Sequence, residues 1–174
     1  MTYAEQLKSF KWKEKDVQSL LLDYLSKRPE FNLLTTNYLQ IMPFEADVLL
    51  YTNLGYLFEY EIKTNKTDLL KDYKKINSRG INKHQYLIGN DDILEGKYRP
   101  NKFYFVAPHG VFNGLDIDIR YGLIEVLESG QVYCKRKAKF LHRNKKFNND
   151  DILSMCRNFA LKQCVNKETK WSIK

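Results

Sequence analysis

Residues Phe44 to Lys63 read FEADVLLYTNLGYLFEYEIK, and how this stretch is divided decides the fold. Two runs rich in aliphatic and aromatic side chains, Phe44 to Tyr51 and Tyr56 to Lys63, flank Thr-Asn-Leu-Gly, which is hairpin punctuation. Side chains of a strand alternate between faces. Phe44, Ala46, Val48 and Leu50 therefore share one face, and Glu45, Asp47, Leu49 and Tyr51 the other. On the second run Phe58, Tyr60 and Ile62 alternate with Glu59, Glu61 and Lys63, so one face is expected to be core and the other to collect carboxylates. A three-residue loop with Gly55 in the left-handed region pairs Thr52 with Tyr56. Asp47 then lies opposite Glu61, and Glu45 opposite Lys63. Like charges across a ladder cost something within about 0.2–1 kcal/mol. A divalent cation reverses that sign, because Mg²⁺ is held by one or two carboxylates plus waters and phosphate oxygens. The pattern suggests a metal site.

A chain of 174 residues is the size of a single domain, 1–174, with 1–13 expected as a flexible arm on which Phe10 and Trp12 can dock. The formal net charge of +8 points to a polyanionic partner. No apolar run is long enough to span a bilayer and no secretory signal opens the chain, so a soluble, cytoplasmic protein with no membrane partner is expected. Cys134, Cys156 and Cys164 are an odd count without zinc spacing, which leaves reduced, mostly buried thiols.

Asp47, a gap of about a dozen residues and then Glu61-Ile62-Lys63 resemble the active-site signature of the PD-(D/E)XK nuclease superfamily, with Ala46 where the family name has proline. The run EIKTNKTDLLKD from Glu61 to Asp72 is similar to the extended form of that pattern, with two aspartates four apart. Together with FYFVAPHG and YGLIEV it resembles a bacterial and phage-borne branch that includes MmcB-like DNA-repair proteins. The resemblance covers Lys15 to Val126. It implies an α/β restriction-endonuclease-like core, a central mixed sheet flanked by helices in the order αβββαβ. It also implies that Asp47, Glu61 and the Ile62 carbonyl hold Mg²⁺, with Mn²⁺ as a substitute. Glu14 and the pair Asp68 and Asp72 become additional candidates near the site, against a reading of each as a solvated charge. Glu45 or Glu59 is a further candidate, for a second ion.

The remaining chain reads in order. Val17, Leu20, Leu21, Tyr24 and Leu25 form a helical stripe that Arg28-Pro29 ends. Phe31 to Met42 holds a loop and a short strand. Thr67 is expected to cap a helix from Asp68 to Asn77 with Leu69, Leu70, Tyr73 and Ile76 inward. Ser78 to Pro100 reads as a long loop around Tyr86 to Ile88, from which Lys83 and His84 reach phosphate; His84, His109 and His142 are weighed chiefly as surface polar groups. Lys102 to Ala107 is a buried strand beside the hairpin. Gly122 to Leu127 and Gln131 to Lys139 pair around Glu128-Ser129-Gly130. On the last strand Tyr133, Lys135, Lys137 and Lys139 are expected on one face, with Arg136, Arg143, Lys145 and Lys146 extending a stripe that follows a phosphate backbone or protects a sheet edge. A final helix after Asn148-Asn149-Asp150 carries Ile152, Met155, Cys156, Phe159 and Ala160.

Phosphodiester hydrolysis needs an in-line water, neutralisation of phosphate charge and help for the leaving oxygen. Lys63, two residues beyond Glu61 and on its face, reaches the water or a phosphate oxygen, and nearby carboxylates keep it charged. A Mg²⁺-dependent DNA endonuclease in repair, recombination or phage DNA processing is the first expectation, as a homodimer if both strands are cut. The alternatives are a catalytically silent nucleic-acid-binding module of the same fold and an RNA-binding protein that stacks bases on its aromatic side chains.

Overall fold

The computed structural model describes residues 11–38, 42–89, 99–143, 150–154 and 156–157. In chain order these form α1 (Glu14–Ser26), β1 (Phe31–Tyr38), β2 (Ala46–Thr52), β3 (Leu57–Ile62), α2 (Lys66–Asp72), α3 (Lys83–Ile88), β4 (Lys102–Pro108), β5 (Gly122–Val126) and β6 (Val132–Arg136), and residues 150–154 are helical. The architecture is mixed α/β. Six strands lie side by side in the order of the sequence. β1, β2 and β3 run antiparallel, β4 joins β3 in parallel, β5 joins β4 in parallel, and β6 returns antiparallel. No described helix is long and apolar enough to cross a membrane.

The hairpin forms because its turn is locally determined. Gly55 has φ of 80°, where a side chain would be strained. Thr52 and Tyr56 are joined by a 2.9 Å backbone hydrogen bond, and the ladder runs through Leu50–Phe58 to Val48–Tyr60. The same register carried one residue further sets Asp47 across from Glu61.

Both faces of the central strands are buried, as is usual where parallel strands are covered on each side. On the first face Val48, Leu50, Phe58, Tyr60, Tyr104, Val106 and Ile124 pack beneath Val17, Leu21 and Leu25 of α1. The second face was expected to collect carboxylates rather than to form core. It does both, since it is also a second core: Leu69 of α2, Leu87 of α3 and the 110–121 segment with Phe112, Ile117 and Tyr121 close over Phe103, Phe105 and Leu123. Glu59, Glu61 and Glu125 lie inside it, at 2%, 1% and 0% exposure.

Several local expectations change. The Phe31–Tyr38 strand is longer than expected, with no long loop before it. α2 begins two residues earlier because Asn65, not Thr67, accepts the Asp68 amide. It buries Leu69 and Asp72 and leaves Leu70 exposed, and because it ends at Asp72, Ile76 lies beyond it and is exposed too. Within the supposed loop lies α3, capped by the Asn82 side chain, which accepts the His84 and Gln85 amides. A bulge opposite Leu123 and Ile124 breaks the alternation of β6. Tyr133 and Lys135 therefore turn toward Glu125 while Lys137 lines a cavity with Tyr60, Tyr104 and Cys134 on the α1 face, so the four-residue stripe does not exist. Trp12 packs against the first core, as expected, whereas Cys156 is exposed rather than buried. Phe10, Asn90 to Gly96, Lys145, Lys146, Met155, Phe159, Ala160 and Cys164 lie outside the described residues.

Candidate functional site

The site is built at the carboxyl end of β3, where the chain leaves the sheet for α2. Asp47, on β2, is half-buried and accepts the Ile62 amide through Oδ2 at 2.6 Å, while Gln18 of α1 holds the Asp47 carbonyl at 2.9 Å. Burial and the neighbouring Glu61 charge push the Asp47 carboxyl up to about 7, against the Ile62 amide and Lys63. The Glu14 charge adds to the push, so the start of α1 lies within electrostatic reach, although Glu14 itself is exposed.

Glu61 is held by cations on each oxygen. Oε1 lies 2.7 Å from the Lys63 ammonium and 3.4 Å from that of Lys75; Oε2 lies 2.7 Å from that of Lys83. Lys63 also reaches Asp72 at 3.1 Å. Burial pulls the Lys63 ammonium down, but Glu61 and Asp72 outweigh it and leave it above its ordinary value. Lys63 is thus a fixed positive charge rather than a base.

Beneath this layer lies a group that charge alone does not reveal. Lys83 is 1% exposed, wedged between Glu59 at 2.8 Å and Glu61 at 2.7 Å with its ammonium 5.2 Å from the centre of the Phe103 ring. It was expected among the DNA-binding residues, and its burial removes it from any such surface. Burial opposes its charge, and Glu59, Glu61 and Asp72 more than restore it. Glu59 moves up because burial and the nearby Glu61 prevail over Lys83. The next residue, His84, is buried rather than on the surface. Its Nε2 pairs with Asp72 Oδ2 at 2.9 Å and its Nδ1 with the Tyr121 hydroxyl at 3.0 Å. Burial would raise the Asp72 carboxyl, but His84, Lys83 and Lys63 hold it far below the usual range. One turn of α3 therefore clamps Glu61 through Lys83 and Lys63 through His84 and Asp72. The signal for it was Asn82, a helix cap placed directly before both residues.

The other candidates separate. Asp68 accepts from the side-chain amide of the capping Asn65 at 2.6 Å and so steadies that cap; it lines the mouth of a cavity with Lys63, Lys71, Asp72 and Lys75 without joining the inner network. Glu45 is exposed ahead of β2. Arg136 spends its guanidinium on the Ile117, Asp118 and Tyr121 carbonyls. Lys135 is paired with Glu125 at 2.7 Å. Lys137, Lys139 and Arg143 are exposed, but Lys137 and Arg143 act on Lys102 at the opposite end of the sheet. From Phe58, which pairs with Lys102, to Lys63 is about 15 Å along the strand. His142 is tied to the Arg99 carbonyl and Asn101.

The donor set suits a hard cation in its chemistry: two carboxylates whose charges oppose each other on neighbouring strands, with oxygen ligands alone. Among the described residues no three His, Cys, Asp or Glu side chains converge on a metal position. A cation here would take two protein carboxylates and complete its shell with waters and substrate, the usual habit of Mg²⁺.

A protein of unknown function from Silicibacter pomeroyi has a similar structure, with a TM-score of 0.56 at 11% sequence identity over 91% of this chain and 92% of that one. That likeness concerns the fold. No protein-family profile matches the chain, and no curated protein matches it.

Proposed function

We propose that the chain is a Mg²⁺-dependent DNA endonuclease of the PD-(D/E)XK type with a restriction-endonuclease-like core, acting in repair, recombination or phage DNA processing. The observation that carries the reading is the juxtaposition at the end of β3: Asp47 bonded to the Ile62 amide, and Lys63 bonded to Glu61, all on adjoining strands. The element order supports it, since α1, three antiparallel strands, α2 and a strand parallel to the third follow the αβββαβ sequence that the resemblance implies, with the short α3 added before that strand.

In this reading Asp47 and Glu61, with the Ile62 carbonyl, hold Mg²⁺. The ion supplies charge neutralisation at the phosphate and a more acidic water. Lys63, kept cationic by Glu61 and Asp72, orients the attacking water or stabilises the charge gathering on a phosphate oxygen. Lys71 and Lys75, at the mouth beside Lys63, take the flanking backbone, while Lys137, Lys139 and Arg143 serve a more distant stretch.

The test is a cleavage panel of linear, nicked, branched and single-stranded DNA with Mg²⁺ or Mn²⁺. Wild type cuts at least one form, and Lys63→Ala and Asp47→Ala abolish cleavage with the fold retained by circular dichroism. No product from any form with either metal overturns the proposal. A catalytically silent binding module is favoured by one observation, the engagement of both Glu61 oxygens by lysines. Salt-sensitive DNA binding that ignores EDTA and yields no products identifies that case.

A further inference from the structure

Glu125, one residue before the end of β5, is completely buried and receives three donors: Lys135 at 2.7 Å, the Tyr133 hydroxyl, and His109 Nδ1 at 2.9 Å. Burial alone would raise its carboxyl, yet Lys135, Tyr133 and His109 together hold it below the ordinary value. An ionised carboxylate only accepts hydrogen bonds, so the hydrogen between the two groups belongs to His109 Nδ1. The imidazole is thereby fixed in orientation, and its other nitrogen, Nε2, is the one left to face outward from a side chain that is 59% exposed.

His109 stands where β4 ends, anchored by its amide to the Val126 carbonyl at 2.9 Å, and Gly110 turns the chain away with φ of 86°. It lines a cleft of about 480 Å³ with Lys11, Trp12, Thr64 and Asn65. Thr64 follows Lys63 directly, and β3 and β4 are parallel neighbours, so this cleft adjoins the Asp47, Glu61 and Lys63 group at the same end of the sheet. Carboxyl ends of adjacent parallel strands are where open α/β sheets gather ligands. Tyr133 and Lys135 already satisfy Glu125, so what the third bond adds is a fixed direction for His109.

We propose that the cleft is a second phosphate subsite, in which His109 Nε2–H donates to a non-bridging oxygen of the DNA phosphodiester next to the one held at Lys63. The inference rests on the nucleic-acid reading above and extends it from one phosphate to two. Glu125 on Nδ1 and a phosphate oxygen on Nε2 would then place a hydrogen-bond acceptor at each end of the ring. Lys11 lies at the cleft wall as a further cation, and Glu128 shares that wall, so the lysine offsets an acid that would otherwise oppose the phosphate.

The experiment uses the full chain with a short DNA duplex in EDTA, so that binding is read without cleavage. Imidazole nitrogen NMR of wild type needs no variant: the His109 Nε2 signal shifts on DNA addition to a protonated, hydrogen-bonded position. His109→Gln, which keeps a donor toward Glu125, weakens binding about tenfold, as loss of one charge-assisted hydrogen bond does. It also flattens the dependence of log K on log salt by about one phosphate contact. If wild type binds DNA while the His109 signals stay put and His109→Gln binds within about twofold, His109 serves Glu125 alone and the inference is overturned. If no duplex is bound at all, the subsite fails with the nucleic-acid reading. If DNA is bound through His109 but never cut with Mg²⁺, the subsite stands and the nuclease assignment falls.

Discussion

Replacing Lys83 by methionine tests whether α3 holds the site together. The side chain is of similar length and the pocket beside Phe103 accepts an apolar stem, so little packing volume changes. The charge change is large: Glu59 and Glu61, both about as buried as Lys83 itself, lose the ammonium they share at 2.8 and 2.7 Å. Glu61 retains Lys63 at 2.7 Å, whereas the cation removed is the one bonded to Glu59. Breaking a buried pair by deleting one partner costs about 3–5 kcal/mol, a large part of the roughly 5–15 kcal/mol available to a domain. With a urea slope of about 2 kcal/mol per molar, the middle of the usual range, the unfolding midpoint falls by roughly 1.5–2.5 M. Protonation of one carboxyl softens the loss, so the deficit is greatest at alkaline pH. The double variant Lys83→Met/Glu59→Gln removes the orphaned charge and recovers about half of the loss. Equilibrium urea unfolding of wild type and the two variants decides the matter. A cost below about 1 kcal/mol for Lys83→Met, or no recovery in the double variant, refutes the clamp.

Two further outcomes follow from the same geometry. Because the folded-state Asp47 carboxyl lies near 7 against an ordinary value of 3.8, the native chain keeps a proton that the unfolded chain has already released, and metal-free stability falls as pH rises through that window. Asp47→Asn, which can still accept the Ile62 amide, removes that slope and is more stable than wild type by about 2–4 kcal/mol at about pH 8 in EDTA. Urea unfolding across pH checks this, and an unchanged slope in the variant counts against the burial and repulsion argued for Asp47. Gly122→Ala sets a methyl group 2.1 Å from the Tyr104 ring and 2.9 Å from the Ala138 amide nitrogen. Tyr104 is stacked on Tyr60 with centroids 5.0 Å apart and has little freedom to withdraw. The variant loses about 3 kcal/mol in thermal or urea unfolding, and a loss under about 0.5 kcal/mol would show that the β4–β5 contact is loose.

The hairpin was legible because everything that fixes it is local: alternation at period two, and a glycine at the position that needs positive φ. The register followed, and with it the meeting of Asp47 and Glu61. What lies under the second face was not legible, because the covering residues arrive from elsewhere in the chain. Lys83 is 22 residues beyond Glu61, brought back when the 73–83 segment folds on itself through an Ile76–Asn82 bridge and the bond from the Lys83 amide to the Lys75 carbonyl. A lysine in a polar stretch reads as solvated by default, and burial of its charge depends on partners that periodicity does not reveal. β6 failed for a related reason. The bulge turns Arg136 toward the Tyr121 carbonyl and the strand ends there, so Lys137 is not held on the face that Tyr133 and Lys135 occupy.

The division between what was and was not visible has a functional corollary. Asp47, Glu61 and Lys63 are set by adjoining strands, but the contacts that hold Glu61 and Asp72 in place come from α3, whose consecutive Lys83 and His84 grip opposite halves of the group. Glu61 already has lysines on both oxygens, so a cation entering beside Asp47 must compete with Lys63 and Lys75 for Oε1 while Lys83 keeps Oε2 in place. The exposed lysine gives way more readily than the buried one, since Lys75 is held at 3.4 Å and is 37% exposed. In the proposed mechanism Lys75 is the lysine that would yield Oε1 to a cation held by Asp47 and Glu61, and its ammonium, at the mouth beside Lys63, would then serve the substrate backbone.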